Sequence, residues 1–127
     1  MAKNLTYLDF AIDELLYLTT AYDKGIRSNA MVSQAQRIAE CYLKHLLTVR
    51  MFNAGEIMMS HNLRELYSFI DKSGIDITCI RANVMLLNNY YTHTRYPGKD
   101  AFMATNEDID SAVSAIKDIA KIMPRYF

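Results

Sequence analysis

The densest run of chemically capable side chains in this chain is Asn88-Asn89-Tyr90-Tyr91-Thr92-His93-Thr94-Arg95-Tyr96-Pro97-Gly98. Arginine is a permanent forked donor whose geometry matches phosphate. Histidine exchanges a proton near neutral pH, and tyrosine can stack on a base or hydrogen-bond a phosphate oxygen. If one helix carries Val84 and Leu87 and continues through this run, Arg81, Asn88, Thr92 and Arg95 fall on one polar strip beside the apolar stripe. The residues to test as a ligand site are therefore Arg95, His93, Tyr91, Asn88, Arg81 and Tyr96, with Arg95 as the anchor for an anion. The plainer alternative is that the tyrosines pack at the edge of a core and Arg95 caps helix carbonyls.

Other chemistries find little support. No Glu is followed three residues later by His, as a di-iron bundle requires. There is no Cys-x-x-Cys, no His-Glu-x-x-His and no glycine-rich phosphate loop. His45, His61 and His93 are scattered, so neither a metal nor another cofactor is expected. Cys41 lies among apolar helical neighbours and reads as a small buried hydrophobe; Met58 and Met59 read as core filler. His61 reads as a donor to a nearby carbonyl or a packing residue. Glu40 and Lys44 read as a solvated i,i+4 pair or part of a dimer surface.

The elements that must position these residues are helical. Leu5, Leu8, Ile12, Leu15, Thr19 and Tyr22 repeat at steps of three and four, and Gly25 interrupts them. A longer helix is expected from about Ser28 to Phe52. Ser33, Arg37, Glu40, Lys44 and Thr48 form its narrow polar stripe, and much of the rest of its girth is apolar. Such a helix belongs at the centre of a bundle, with more apolar girth than three neighbours need, which points to a homodimer. Asn62 with Glu65, or Ser60, starts a short third helix carrying Leu63, Leu66, Tyr67 and Ile70. Ile80, Val84, Leu87 and Tyr91 mark a fourth helix that breaks at Pro97-Gly98. Thr105 and Asp108 start a fifth, with Ile109, Ala112, Val113, Ile116, Ala120 and Met123 inward. The expected core is Leu8, Ile12, Leu15, Ile38, Tyr42, Leu46, Leu66, Val84, Leu87, Val113 and Ile116.

The 127 residues fit one domain, residues 1–127, without internal repeat or linker. The fold class expected is all-α, an antiparallel up-and-down bundle of four main helices plus a short one. Fourteen basic residues balance fourteen acidic ones, which argues against binding nucleic acid or membrane through a strong positive field. No membrane-spanning run and no leader-like start is present, and two cysteines make no disulfide framework, so a reducing cytoplasm is expected.

Three segments, in order, resemble those of HEPN domains, small helical bundles associated with nucleotide and RNA biology. Ala39-Glu40-Cys41-Tyr42-Leu43-Lys44-His45-Leu46-Leu47 is similar to the family's Ala-Glu-Lys-x-Leu-Lys-x-Leu segment on its second helix. Ser60-His61-Asn62-Leu63-Arg64-Glu65-Leu66 is similar to the His-Asp/Asn-Leu segment opening the third. Tyr91-Thr92-His93-Thr94-Arg95-Tyr96-Pro97 is similar to the Tyr and Arg-Tyr-Pro ending of the fourth. The resemblance implies homodimers, and for stand-alone members a small nucleotidyltransferase partner. It also implies, for many members, metal-independent RNase or toxin activity through an Arg followed after four to six residues by His. That motif is missing: Leu86, Leu87 and Asn88 occupy the positions where the Arg before His93 would stand, and Arg95 follows it.

The function expected is thus a HEPN-like subunit that dimerises and binds a nucleotide, RNA or a minimal nucleotidyltransferase, without strong catalysis. Two alternatives stay open. One is a metal-independent, toxin-like endoribonuclease with His93 as general base and Arg95 or Arg81 on the phosphorane. The other is a purely structural helical adaptor; the toxin-like reading carries the possibility of a toxin-antitoxin pair.

Overall fold

A computed structural model describes residues 4–51, 54–89, 97–99, 101 and 103–127. Its α-helices are α1 (Tyr7–Asp23), α2 (Ala30–Arg50), α3 (Leu63–Lys72), α4 (Arg81–Asn88) and α5 (Asn106–Ile122). Short 3-10 segments span Gly55–Met59, Thr78–Ile80 and Met123–Tyr126. No β-strand occurs among the described residues. The all-α helical bundle read from periodicity is the fold, and α3 is the short helix anticipated between Asn62 and Gly74. The break expected at Pro97 falls at the edge of a run, residues 90–96, that lies outside the described residues.

Local chemistry sets the helix ends. At α1, Thr6 accepts the Asp9 N–H (3.2 Å) while the Asp9 carboxylate accepts the Thr6 N–H (2.8 Å). Thr105 and Asp108 repeat this reciprocal cap at α5. Each cap satisfies amides that have no partner inside the helix. Gly25 and Gly74, just beyond α1 and α3, take φ near +88° and +89°, a backbone that side chains with a Cβ resist.

Helix α2 is the hub. It packs against α1, α3, α4 and α5, and every residue from Ile38 to Leu47 is buried. Ile38, Leu43, Leu46 and Leu47 are fully enclosed, each contributing about 1.5–3 kcal/mol of burial. Four neighbouring helices take up most of the apolar girth of α2, which leaves Val49 as its exposed large apolar residue.

Most of the expected core is in place: Ile38, Tyr42, Leu46, Leu66, Val84, Leu87, Val113 and Ile116 are buried, and Leu8 and Leu15 are half-buried. Ile12 is a correction. It is 54% exposed, whereas Ala11 and Leu18 are enclosed. The inward face of α1 is Leu8, Ala11, Leu15, Leu18 and Tyr22, rotated by roughly 50° from the expected stripe. Both sets obey three-and-four spacing because α1 is apolar on more than one side. Leu5, Leu16 and Tyr17 join Ile12 as exposed apolar residues on and beside this helix. Met59 is a second correction: of the adjacent methionines, Met58 packs against the core and Met59 is exposed.

Candidate functional site

The polar stripe of α2 is not solvated. Glu40 and Lys44 are both buried, with Lys44 Nζ donating to Glu40 Oε2 at 3.0 Å. The solvated pair expected from sequence is therefore corrected to a buried ion pair, enclosed because α2 is surrounded. Two further groups come to it. His61, just before α3, places Nδ1 at 3.2 and 3.1 Å from the two Glu40 oxygens. Gln36, one turn before Glu40, donates through Nε2 to the His61 carbonyl at 3.0 Å. A buried carboxylate that accepts from an ammonium and an imidazole together has compensation for much of its lost hydration.

The His61 ring is partly in solvent, its side chain 59% exposed, while the Glu40 side chain is 11% exposed. A carboxylate only accepts, so the Nδ1 that faces Glu40 carries a proton.

Asn88 ties the end of α4 to this edge. Its Oδ1 accepts the Leu63 N–H at 2.8 Å and lies 3.4 Å from the Arg64 N–H. Asn62 Oδ1 accepts from Arg64 and Glu65, and Ser60 Oγ donates to Glu65 Oε2 at 2.8 Å. Both residues weighed for the α3 start thus serve it. Asn88 adds a third capping group that arrives from another helix. The result is one polar edge: His61, the α3 N-terminus and the end of α4.

Arg81 opens α4 two turns before Asn88, on the same side of the helix. It lines a groove between α3 and α4 with Arg64 and Tyr67. Tyr91, His93, Arg95 and Tyr96 lie outside the described residues. Sequence reasoning missed the Glu40–His61 contact. Its available signal was Gln36, Glu40 and Lys44 at spacings of four on an otherwise apolar helix, a stripe that a hub helix must bury.

The remaining titratable groups of the interior are quiet. Burial, followed by the Glu14 and Glu40 charges, pushes the Cys41 thiol up to about 11, so it stays protonated and unreactive. His45 is buried edge-on to Phe127 at 4.6 Å, and burial lowers its pKa, which keeps the ring neutral. Among the described residues no three His, Cys, Asp or Glu side chains converge on a metal position. No helix of the described chain is long and apolar enough to cross a membrane.

Comparison with known proteins places this geometry. The crystal structure of TT1696 from Thermus thermophilus matches with a TM-score of 0.75 at 21% identity, covering 95% of each chain. At that identity the likeness is one of fold. No curated protein matches. The sequence model of the HEPN domain matches residues 7–126, which takes in α2, the His61 edge, α4 and α5. With its hub helix, its His-Asn-Leu start to α3 and this end-to-end match, the chain belongs to the HEPN domain family.

Proposed function

We propose that this HEPN protein is a binding subunit for a nucleotide or RNA, acting at the edge where the end of α4 meets the start of α3, with little or no cleavage of its own. The observation that carries the reading is the employment of Asn88. It stands five residues before His93, where HEPN nucleases place an arginine, and its oxygen is committed to the Leu63 N–H. An amide in that position brings no positive charge to a scissile phosphate. The family supports a role in nucleotide or RNA biology. Binding through Arg95, with His93 and Tyr91 beside it, extends that role to particular residues. A homodimer and a minimal nucleotidyltransferase partner belong to the same proposal.

Titration with nucleotides and short RNAs tests it. Arg95→Lys and Arg95→Ala should both weaken binding, since lysine lacks the bidentate fork, and Tyr91→Phe should be milder. RNA cleavage should be absent or slow. Unchanged binding in both Arg95 variants would return that arginine to helix capping. One observation favours a second reading, the metal-independent endoribonuclease: His61, oriented by a buried carboxylate, is the type of imidazole that could accept a ribose 2′-hydroxyl proton. Robust metal-independent cleavage abolished by His93→Ala or His61→Ala would overturn the binding-only proposal.

A further inference from the structure

A groove runs between α3 and α4, and it adjoins the His61 edge through Arg64 at the α3 N-terminus. Arg64, Tyr67, Ser68 and Asp71 line one wall, and Thr78, Arg81, Ala82 and Met85 line the other, around a volume of about 800 Å³. Each wall follows the same i, i+3, i+4, i+7 spacing, so each is a single helical face along its α-helical part. These largely solvent-facing stripes carry two arginines and three hydroxyl groups. Arg81 is seven residues from Asn88, about 10 Å along α4.

Both arginines are exposed, and neither forms an ion pair among the described residues. Asp71 lies two turns beyond Arg64 on the same wall. Nearby Asp76 is engaged with its own turn, accepting from the Thr78 N–H at 3.0 Å and the Thr78 hydroxyl at 2.7 Å. The second observation concerns Tyr67. This side chain is only 4% exposed, and its Oη is buried with no hydrogen-bond partner among the described residues. Burial raises its pKa, so the phenol keeps its proton and remains a donor. A buried donor without an acceptor is costly and uncommon in native interiors. Tyr67 itself lines the groove, so a small adjustment of its side chain would bring the hydroxyl to an acceptor seated there.

We propose that this groove binds a phosphate monoester, gripped by Arg64 and Arg81, with the Tyr67 hydroxyl donating from the wall. A monoester carries close to two negative charges at neutral pH, matching two guanidiniums better than the single charge of a diester. Asp71 then stands where a hydroxyl of the ligand's sugar can donate to it.

Calorimetry and amide chemical-shift titration of the full chain, with inorganic phosphate, ribose 5-phosphate, adenosine 5′-monophosphate and adenosine, provide the test. All three phosphates should bind and adenosine should not; the order among the three distinguishes a bare phosphate site from one reading sugar or base. Arg64→Gln and Arg81→Gln should each weaken binding about tenfold, and Arg81→Lys severalfold, with the fold intact by circular dichroism. Tyr67→Phe should weaken phosphate binding about threefold while leaving the ligand-free melting temperature unchanged or higher, a split that a structural hydroxyl would not give. Phosphate binding that survives both glutamine variants would overturn the groove and leave the His61-edge reading standing.

Discussion

At the scale of the residue, Asn88 shows how one side chain can exchange a chemical role for a structural one. Three amides at the α3 start need acceptors, and Asn62 serves only those of Arg64 and Glu65. The Leu63 N–H belongs to a fully buried residue and relies on Asn88 Oδ1 at 2.8 Å. Asn88→Ala should therefore cost about 1 kcal/mol, within a range of roughly 0.5–2, measured by urea denaturation. Asn88→Asp keeps the acceptor and puts a negative charge at a helix N-terminus, so it should match or exceed the wild type. Equal stability of the alanine variant would show that water replaces the cap without loss. His61 and Glu40 illustrate the reverse exchange: two residues that read as packing and as a solvated face form a contact of 3.1 Å across elements.

At the scale of the element, the contrast between α1 and α2 decides where substitutions matter. Ile38 and Leu46 on α2 are fully buried, whereas Ile12 on α1 is more than half exposed. Ile38→Ala and Leu46→Ala should each lower stability by about 2–5 kcal/mol, from lost transfer energy and a residual cavity. Ile12→Ala should change it by less than about 0.5 kcal/mol, as surface positions do. Chemical denaturation of the three variants separates these cases, and a large loss at Ile12 would place that side chain in a buried interface. The α2 ion pair follows the same logic. Glu40 and Lys44 tolerate burial because each compensates the other, so neither is replaceable alone at small cost.

At the scale of the molecule, the unspent apolar surface is on and beside α1. Leu5, Ile12, Leu16 and Tyr17 are each more than half exposed. The proposed homodimer would use such a face, since α2 leaves only Val49 exposed among its large apolar residues. Light scattering across a concentration series should give twice the monomer mass, and Leu16→Glu, placing a charge in that face, should shift the equilibrium toward monomer by tenfold or more, about 1.4 kcal/mol. A strict monomer at every concentration would remove dimerisation from the proposed function.

The sequence by itself determined the all-α fold, the order of the helices, most of their ends and eight of the eleven expected core residues as buried. These are local properties: a period of 3.6 residues, a Thr followed by Asp at three residues' distance, and a glycine after the last turn all act within one or two turns of chain. The candidate site was legible only where it was local. Asn88 and Arg81 could be named as polar residues beside an apolar stripe, but their partners could not. Whether Asn88 faces a ligand or the Leu63 amide depends on how α4 lies against α3. Whether Glu40 is solvated depends on α2 being enclosed and on His61 arriving from twenty-one residues away. The phase of α1 was ambiguous for the same reason, since an apolar girth wider than one face fits more than one rotation. Only packing chooses among such rotations, because burial energy is summed over neighbours that are distant in sequence.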